Sequence, residues 1–159
     1  MRVNELSNQL KAVLKDSHTQ LLEIDEKMAS PKPNPDKWSK KEIIGHLIDS
    51  ASNNHQRFVR VQFKDDLIFE GYVQDDWVKV QDYQGRRWSD LVEVWYSYNN
   101  HLVDVIANIP TSVLELERAK HNLHKIAFKT IPQKQPTTLD YFISDYIVHL
   151  EHHLMQILD

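Results

Sequence analysis

The chain has 159 residues, enough for one domain that buries about two-thirds of the surface its unfolded form exposes. It contains no cysteine, which excludes disulfides, thiolate metal ligands and a nucleophilic thiol of its own. With 19 basic against 23 acidic residues, a formal charge of −4 and no long run of either sign, it lacks the electrostatic footprint of a nucleic-acid binder.

The opening stretch MRVNELSNQLKAVLKD mixes charged and apolar residues, so neither a signal peptide nor a membrane span is expected, and a cytoplasmic location follows. Three glycines in the whole chain are too few for the turns of a β-sandwich or a dinucleotide fold, which leaves helix as the default. Leu6, Leu10, Val13, Leu14, Leu21, Ile24 and Met28 recur at helical spacing and predict a first helix from about Asn4 to Ala29, stopped by the prolines of SPKPNPDK.

Ser39 and Glu42 in WSKKE have the spacing of a capping box and predict the start of a second helix, which its apolar residues carry to about Gln62. Residues 63–87 show no period beyond a short helical turn near Asp75 to Val80, and read as a long crossover. A third helix is expected to open at Ser89 as N-cap and to end before Pro110. After a second long connection, 110–136, a fourth begins at Thr137 or Thr138. Four helices with two long connections describe a single all-α domain, residues 1–159, built as a four-helix bundle that is not simple up-down-up-down.

The candidate chemistry lies in HLEHHLMQI, residues 149–157. At ~100° per residue, His149 and His153 are one turn apart and project side by side, as two imidazoles binding one metal ion must. His149 and His152 offer a second pairing, and a solvated helix edge is the plain alternative. Phe142, Tyr146 and Ile157 flank the same face, which favours imidazoles turned into the bundle, where an unpartnered one is costly. On the second helix His46 sits beside the apolar stripe, on a ridge with Ser50, Asn53 and Arg57, so periodicity does not aim it. Glu42 and Asp145 each precede a histidine by one turn and are candidates to orient an imidazole. His121 and His124 are expected at the surface of the second connection, from which a loop over the bundle end could bring either near the site. His18 and His101 read as helix-surface positions, and the tryptophans as core or interface fillers.

KWSKKEIIGHLIDSASNNHQRF, residues 37–58, together with TTLDYFISDYIVHLEHHLMQI, residues 137–157, resembles the DinB-like superfamily of metal-binding four-helix bundles. Residue by residue, the resemblance implies His46, His149 and His153 as ligands of one divalent ion, zinc or nickel, with His152 a neighbour. It implies an up-down-down-up bundle and a homodimer. It also implies an activity of one of two kinds: a thiol S-transferase using a low-molecular-weight thiol, or a metal-dependent hydrolase.

The favoured expectation is therefore a transferase acting on a small molecule, in which the ion activates an external thiol and Arg57 or the basic 118–134 stretch holds the anionic group of that thiol. In the rival hydrolase, metal-bound hydroxide is the nucleophile and Glu42 or Asp145 the base. A non-catalytic metal or small-molecule binding module is the third reading.

Overall fold

The computed structural model describes residues 2–159, with side chains from Asn4 onward. Four long helices, α1 (Arg2–Leu22), α3 (Lys40–Arg60), α5 (Trp88–Ala107) and α8 (Leu139–Leu158), form the bundle. Four short ones, α2 (Glu26–Ala29), α4 (Gln74–Val80), α6 (Thr111–Leu114) and α7 (Leu123–Ile126), punctuate the connections. No helix among the described residues is long and apolar enough to cross a membrane.

Three contacts at one end fix the direction of each helix. The end of α1 meets the start of α5, where Trp88 Nε1 donates to the Leu21 carbonyl at 2.8 Å. The starts of α3 and α5 meet through Glu26, which pairs with Lys41 at 2.6 Å and accepts from the Trp88 backbone N–H. Lys40 at the start of α3 donates to the Ile157 carbonyl at the end of α8. Thus α1 and α8 run one way and α3 and α5 the other. The topology is up-down-down-up, with α1 and α3 each packed between α5 and α8.

The first helix is shorter than its apolar spacing predicts. The Asp25 carboxylate accepts from Met28 N–H at 2.9 Å and starts α2 as a separate turn, because a short acidic side chain offers the backbone an alternative to continued helix. Met28 is consequently half exposed rather than core. The third helix begins at Trp88 with Arg87 in the cap position, not with Ser89 as cap. The support is tertiary: Glu26 accepts from the Trp88 N–H, one of the first-turn donors that have no acceptor within the helix, so the helix can open one residue before Ser89.

The capping box of α3 is present in full. Ser39 Oγ accepts from Glu42 N–H at 3.1 Å, and Glu42 Oε1 accepts from Ser39 N–H at 3.0 Å. Thr138 caps α8 by accepting from Tyr141 N–H at 3.1 Å. Such a cap stabilises by about 1 kcal/mol. More important here, the two caps fix the registers of the helices that carry His46, His149 and His153. Next to His46, Gly45 lets the Tyr83 ring lie directly on the α3 backbone: a Cβ at that position would stand 2.2 Å from the ring.

The two long connections are tied to each other. The Asn122 side chain accepts from Phe69 N–H at 3.0 Å and donates to the Phe69 carbonyl at 2.8 Å, beside a backbone bridge between Leu67 and His121. Together they close over one end of the groove between α3 and α8.

Candidate metal centre

Buried on α3, with no exposed surface, His46 faces α8 across the bundle and is backed by the Trp38 indole at 5.0 Å between ring centres. Periodicity on α3 alone left it beside the apolar stripe; packing of α8 against that side buries it. From α8, His149 and His153 project toward it one turn apart. The ring centres of the three imidazoles lie 4.6–5.1 Å from one another, each pair close to edge-on. One nitrogen from each falls within 4.8 Å of the others.

His46 Nε2 and His149 Nε2 are 3.2 Å apart. Two nitrogens each ~2.05 Å from a tetrahedral ion are separated by about 3.3 Å, so the pair already has the spacing of two ligands. Burial, and secondarily the neighbouring His153, holds His46 well below its ordinary pKa, at about 3. Burial followed by the three surrounding histidines does the same for His149, also to about 3. Burial lowers His153 as well, opposed by its hydrogen bond to Gln156. All three are thus neutral imidazoles near pH 7, the protonation state a metal requires. The protein partners only one end of the His46 ring, since its Nδ1 is buried without a hydrogen bond.

His153 Nδ1 and Gln156 Oε1 are 2.8 Å apart. With the ring nitrogen donating, Nε2 is left as the free lone pair, the orienting role that an outer carbonyl plays for metal-binding histidines. Gln156 Nε2 in turn lies 3.3 Å from His152 Nε2. His152 itself is exposed and lies tilted against Phe128, 5.1 Å between ring centres, outside the convergent set.

Neither carboxylate candidate bonds to these imidazoles. Glu42 is committed to the Ser39 cap and to Lys32 at 2.9 Å. Asp145 accepts from the backbone N–H groups of Phe128 and Lys129, both at 2.8 Å, although burial raises its pKa. It therefore pins the second connection across the site and places the Phe128 ring 5.3 Å from His149. His121, expected at the surface, is buried: its Nε2 lies 2.8 Å from the Gln135 carbonyl and its Nδ1 accepts from Leu123 N–H. His124 stands beside it on α7, and neither belongs to the cluster.

A cleft of about 420 Å³ opens from His149 and His153 along α3. Ser50, Asn54 and Arg57 form its floor, with Tyr72 and Phe128 among its walls. The ridge read from sequence is present, but Asn54 lines the cleft where Asn53 was expected; Asn53 turns back to the Asp49 carbonyl. Tyr72, from the first long connection, carried no local signal. Gln156 did carry one, since its three-residue spacing from His153 places it on the same helical face.

A scan against protein-family models and a search of curated proteins both find no match. Among solved structures, this chain is similar to YfiT from Bacillus subtilis, described as a probable metal-dependent hydrolase with an unusual four-helix bundle topology. The superposition has a TM-score of 0.72 over 95% of this chain and 83% of that one, at 15% sequence identity. The chain shares the fold of YfiT. At that identity the likeness speaks for the bundle and its helix order, and the triad of histidines stands on its own geometry.

Proposed function

We propose that the protein is a DinB-like metalloenzyme in which His46, His149 and His153 hold one divalent ion, zinc or nickel, and that it transfers an external low-molecular-weight thiol to an electrophilic small molecule. A bound ion of this kind is a Lewis acid that lowers the pKa of a thiol or water presented to it. The chain's own part is to keep three imidazoles neutral, to hold His153 through Gln156, and to cover the site with Phe128. Three protein ligands leave a position for a reactant, as catalytic sites do.

The observation that carries the thiol reading is the state of the carboxylates. Glu42 and Asp145 already serve the Ser39 cap and the Phe128–Lys129 backbone, so neither stands free as a general base. A thiol, with an ordinary pKa of ~8.5, needs less help to ionise than water does. The hydrolase reading is supported by the description of YfiT and by Asp145, which lines the cleft with a raised pKa. A homodimer and a cytoplasmic location belong to the same proposal, the former measurable by sedimentation.

Cobalt-substituted protein separates the two activities. Adding a cellular thiol should produce a sulfur-to-metal charge-transfer band, and an epoxide or activated halide should then consume thiol faster than with metal-free protein. Asp145→Asn should leave that turnover within a few-fold. No band with any thiol, together with ester or amide hydrolysis that Asp145→Asn abolishes, would replace the transferase by the hydrolase.

A further inference from the structure

Three turns along α3 from His46, the same cleft holds a cation that no carboxylate among the described residues pairs with. Arg57 is 9% exposed. Its Nη2 donates to the Glu70 carbonyl at 2.7 Å, and Nη1 reaches Asn54 Oδ1 at 3.5 Å. The rings of Phe69 and Tyr72 lie 6.0 and 5.7 Å from the guanidinium carbon. These contacts orient the group, and none brings a formal negative charge. Among the described residues the ion pairs lie elsewhere, and Asp145 is committed to backbone N–H groups. A charge withdrawn from water is ordinarily paired. A guanidinium cannot escape by losing its proton near neutral pH, although burial lowers its pKa. Lys125, also on the cleft wall and exposed, adds a second positive charge.

The helix sets the geometry between this cation and the histidines. The step from His46 to Arg57 is 11 residues, which at ~100° each closes to within about 20° of three full turns and spans ~16 Å of axis. Both side chains therefore leave the same face of α3. The Arg57 side chain leans toward the helix N-terminus, as long helical side chains do, and shortens the gap. Ser50 and Asn54 pave the floor between them.

We infer that the cleft takes an elongated small molecule bearing an oxyanion, such as a carboxylate, at the end held by Arg57 and presenting its metal-directed group at His46, His149 and His153. The second half rests on the thiol reading above; the first does not. An Arg guanidinium recognises a carboxylate through two parallel N–H donors, a match that lysine or glutamine cannot reproduce.

The test uses ω-mercaptocarboxylates and their alcohol analogues, titrated into cobalt-loaded protein and read by the charge-transfer band. The ω-mercaptohexanoate should bind about tenfold or more tightly than ω-mercaptohexanol. Mercaptoacetate, too short to span the cleft, should show no such advantage over mercaptoethanol. Arg57→Gln should erase the acid-over-alcohol preference, read as the ratio of the two affinities within each protein, and Arg57→Lys should restore part of it. Equal binding of the long acid and alcohol by wild-type protein would overturn the inference, even if Arg57→Gln did not fold; so would a preference that survives Arg57→Gln.

Should no thiol give a band, the thiol reading fails alone, and metal-free protein decides the oxyanion. Inorganic phosphate or butyrate, against chloride at equal ionic strength, should then raise the melting temperature of wild type, that of Arg57→Lys by less, and that of Arg57→Gln not at all. An equal response in all three proteins, or none in wild type, would overturn it.

Discussion

Two groups of histidines stand on this bundle, and they differ in what their nitrogens face. On the α1, α3 and α5 side, His18 stacks on Tyr96 and bonds Glu93 at 2.8 Å, while His55 bonds the Tyr98 hydroxyl at 2.9 Å beside an exposed His101. Oxygen partners occupy those rings, and solvent reaches them. On the α3 and α8 side, His46, His149 and His153 turn nitrogens toward one another with no carboxylate bonded to them. Proximity of imidazoles is common to both groups. Burial also lowers the pKa of His55, but among the described residues only the second group brings one nitrogen from each of three imidazoles to a common point.

The sharpest break of that comparison is truncation. His46→Ala and His149→Ala should each lower cobalt or zinc affinity at least 1,000-fold, since two nitrogens make an incomplete site, whereas His55→Ala and His101→Ala should leave it unchanged. Metal analysis of protein purified without a histidine tag reads this directly. Stoichiometric binding that persists in His46→Ala would remove α3 from the site.

Acid separates the two groups next. Three imidazoles titrating at the ordinary ~6.5 would lose affinity on the order of 10⁴-fold between pH 7 and pH 5 through proton competition. Burial holds His46 and His149 at about 3 and lowers His153, so cobalt affinity should fall far less than 10⁴-fold over that interval. The same shifts act on the metal-free fold. Folded pKa values lie below unfolded ones, so the unfolded chain binds more protons below ~6.5. Stability is then fully present above ~6.5 and lost as pH falls toward about 3. Urea midpoints that do not move between pH 7 and pH 5 would contradict this.

Smaller effects test the supports. Gln156→Ala should weaken metal binding about 10- to 100-fold by freeing the His153 ring, while His152→Ala, at the exposed end of that chain of hydrogen bonds, should cost only a few-fold. A reversal of these two in the cobalt titration would mean that His152 is the ligand and His153 its neighbour. Smallest is Ser39→Ala, which should reduce stability by about 1 kcal/mol through the α3 cap, read as a shift in the urea midpoint with metal geometry unaltered.

Local features of the chain were sufficient for most of the elements. Ser39 with Glu42 set the start of α3, Thr138 set that of α8, and the apolar periods gave four long helices, because caps and stripes act within a few residues. They failed where a distant group intervened: Asp25 broke the first helix early, and Glu26 moved the start of α5 to Trp88.

The site divides along the same line. That His149 can pair with His153 or with His152, and that Gln156 can brace a histidine one turn before it, follow from helical spacing alone, since residues three and four apart share a face whatever the fold; the choice of His153 came from the resemblance. The resemblance of residues 37–58 and 137–157 to DinB-like proteins supplied His46 where spacing was silent. Its burial, the closure by Phe128, and the ring of Tyr72 beside Arg57 were decided only in three dimensions. Periodicity tells which residues lie together on one helix. Which helix stands opposite, and therefore whether an imidazole meets water, a carboxylate or two other imidazoles, depends on contacts across a hundred residues of chain, which the up-down-down-up packing alone creates.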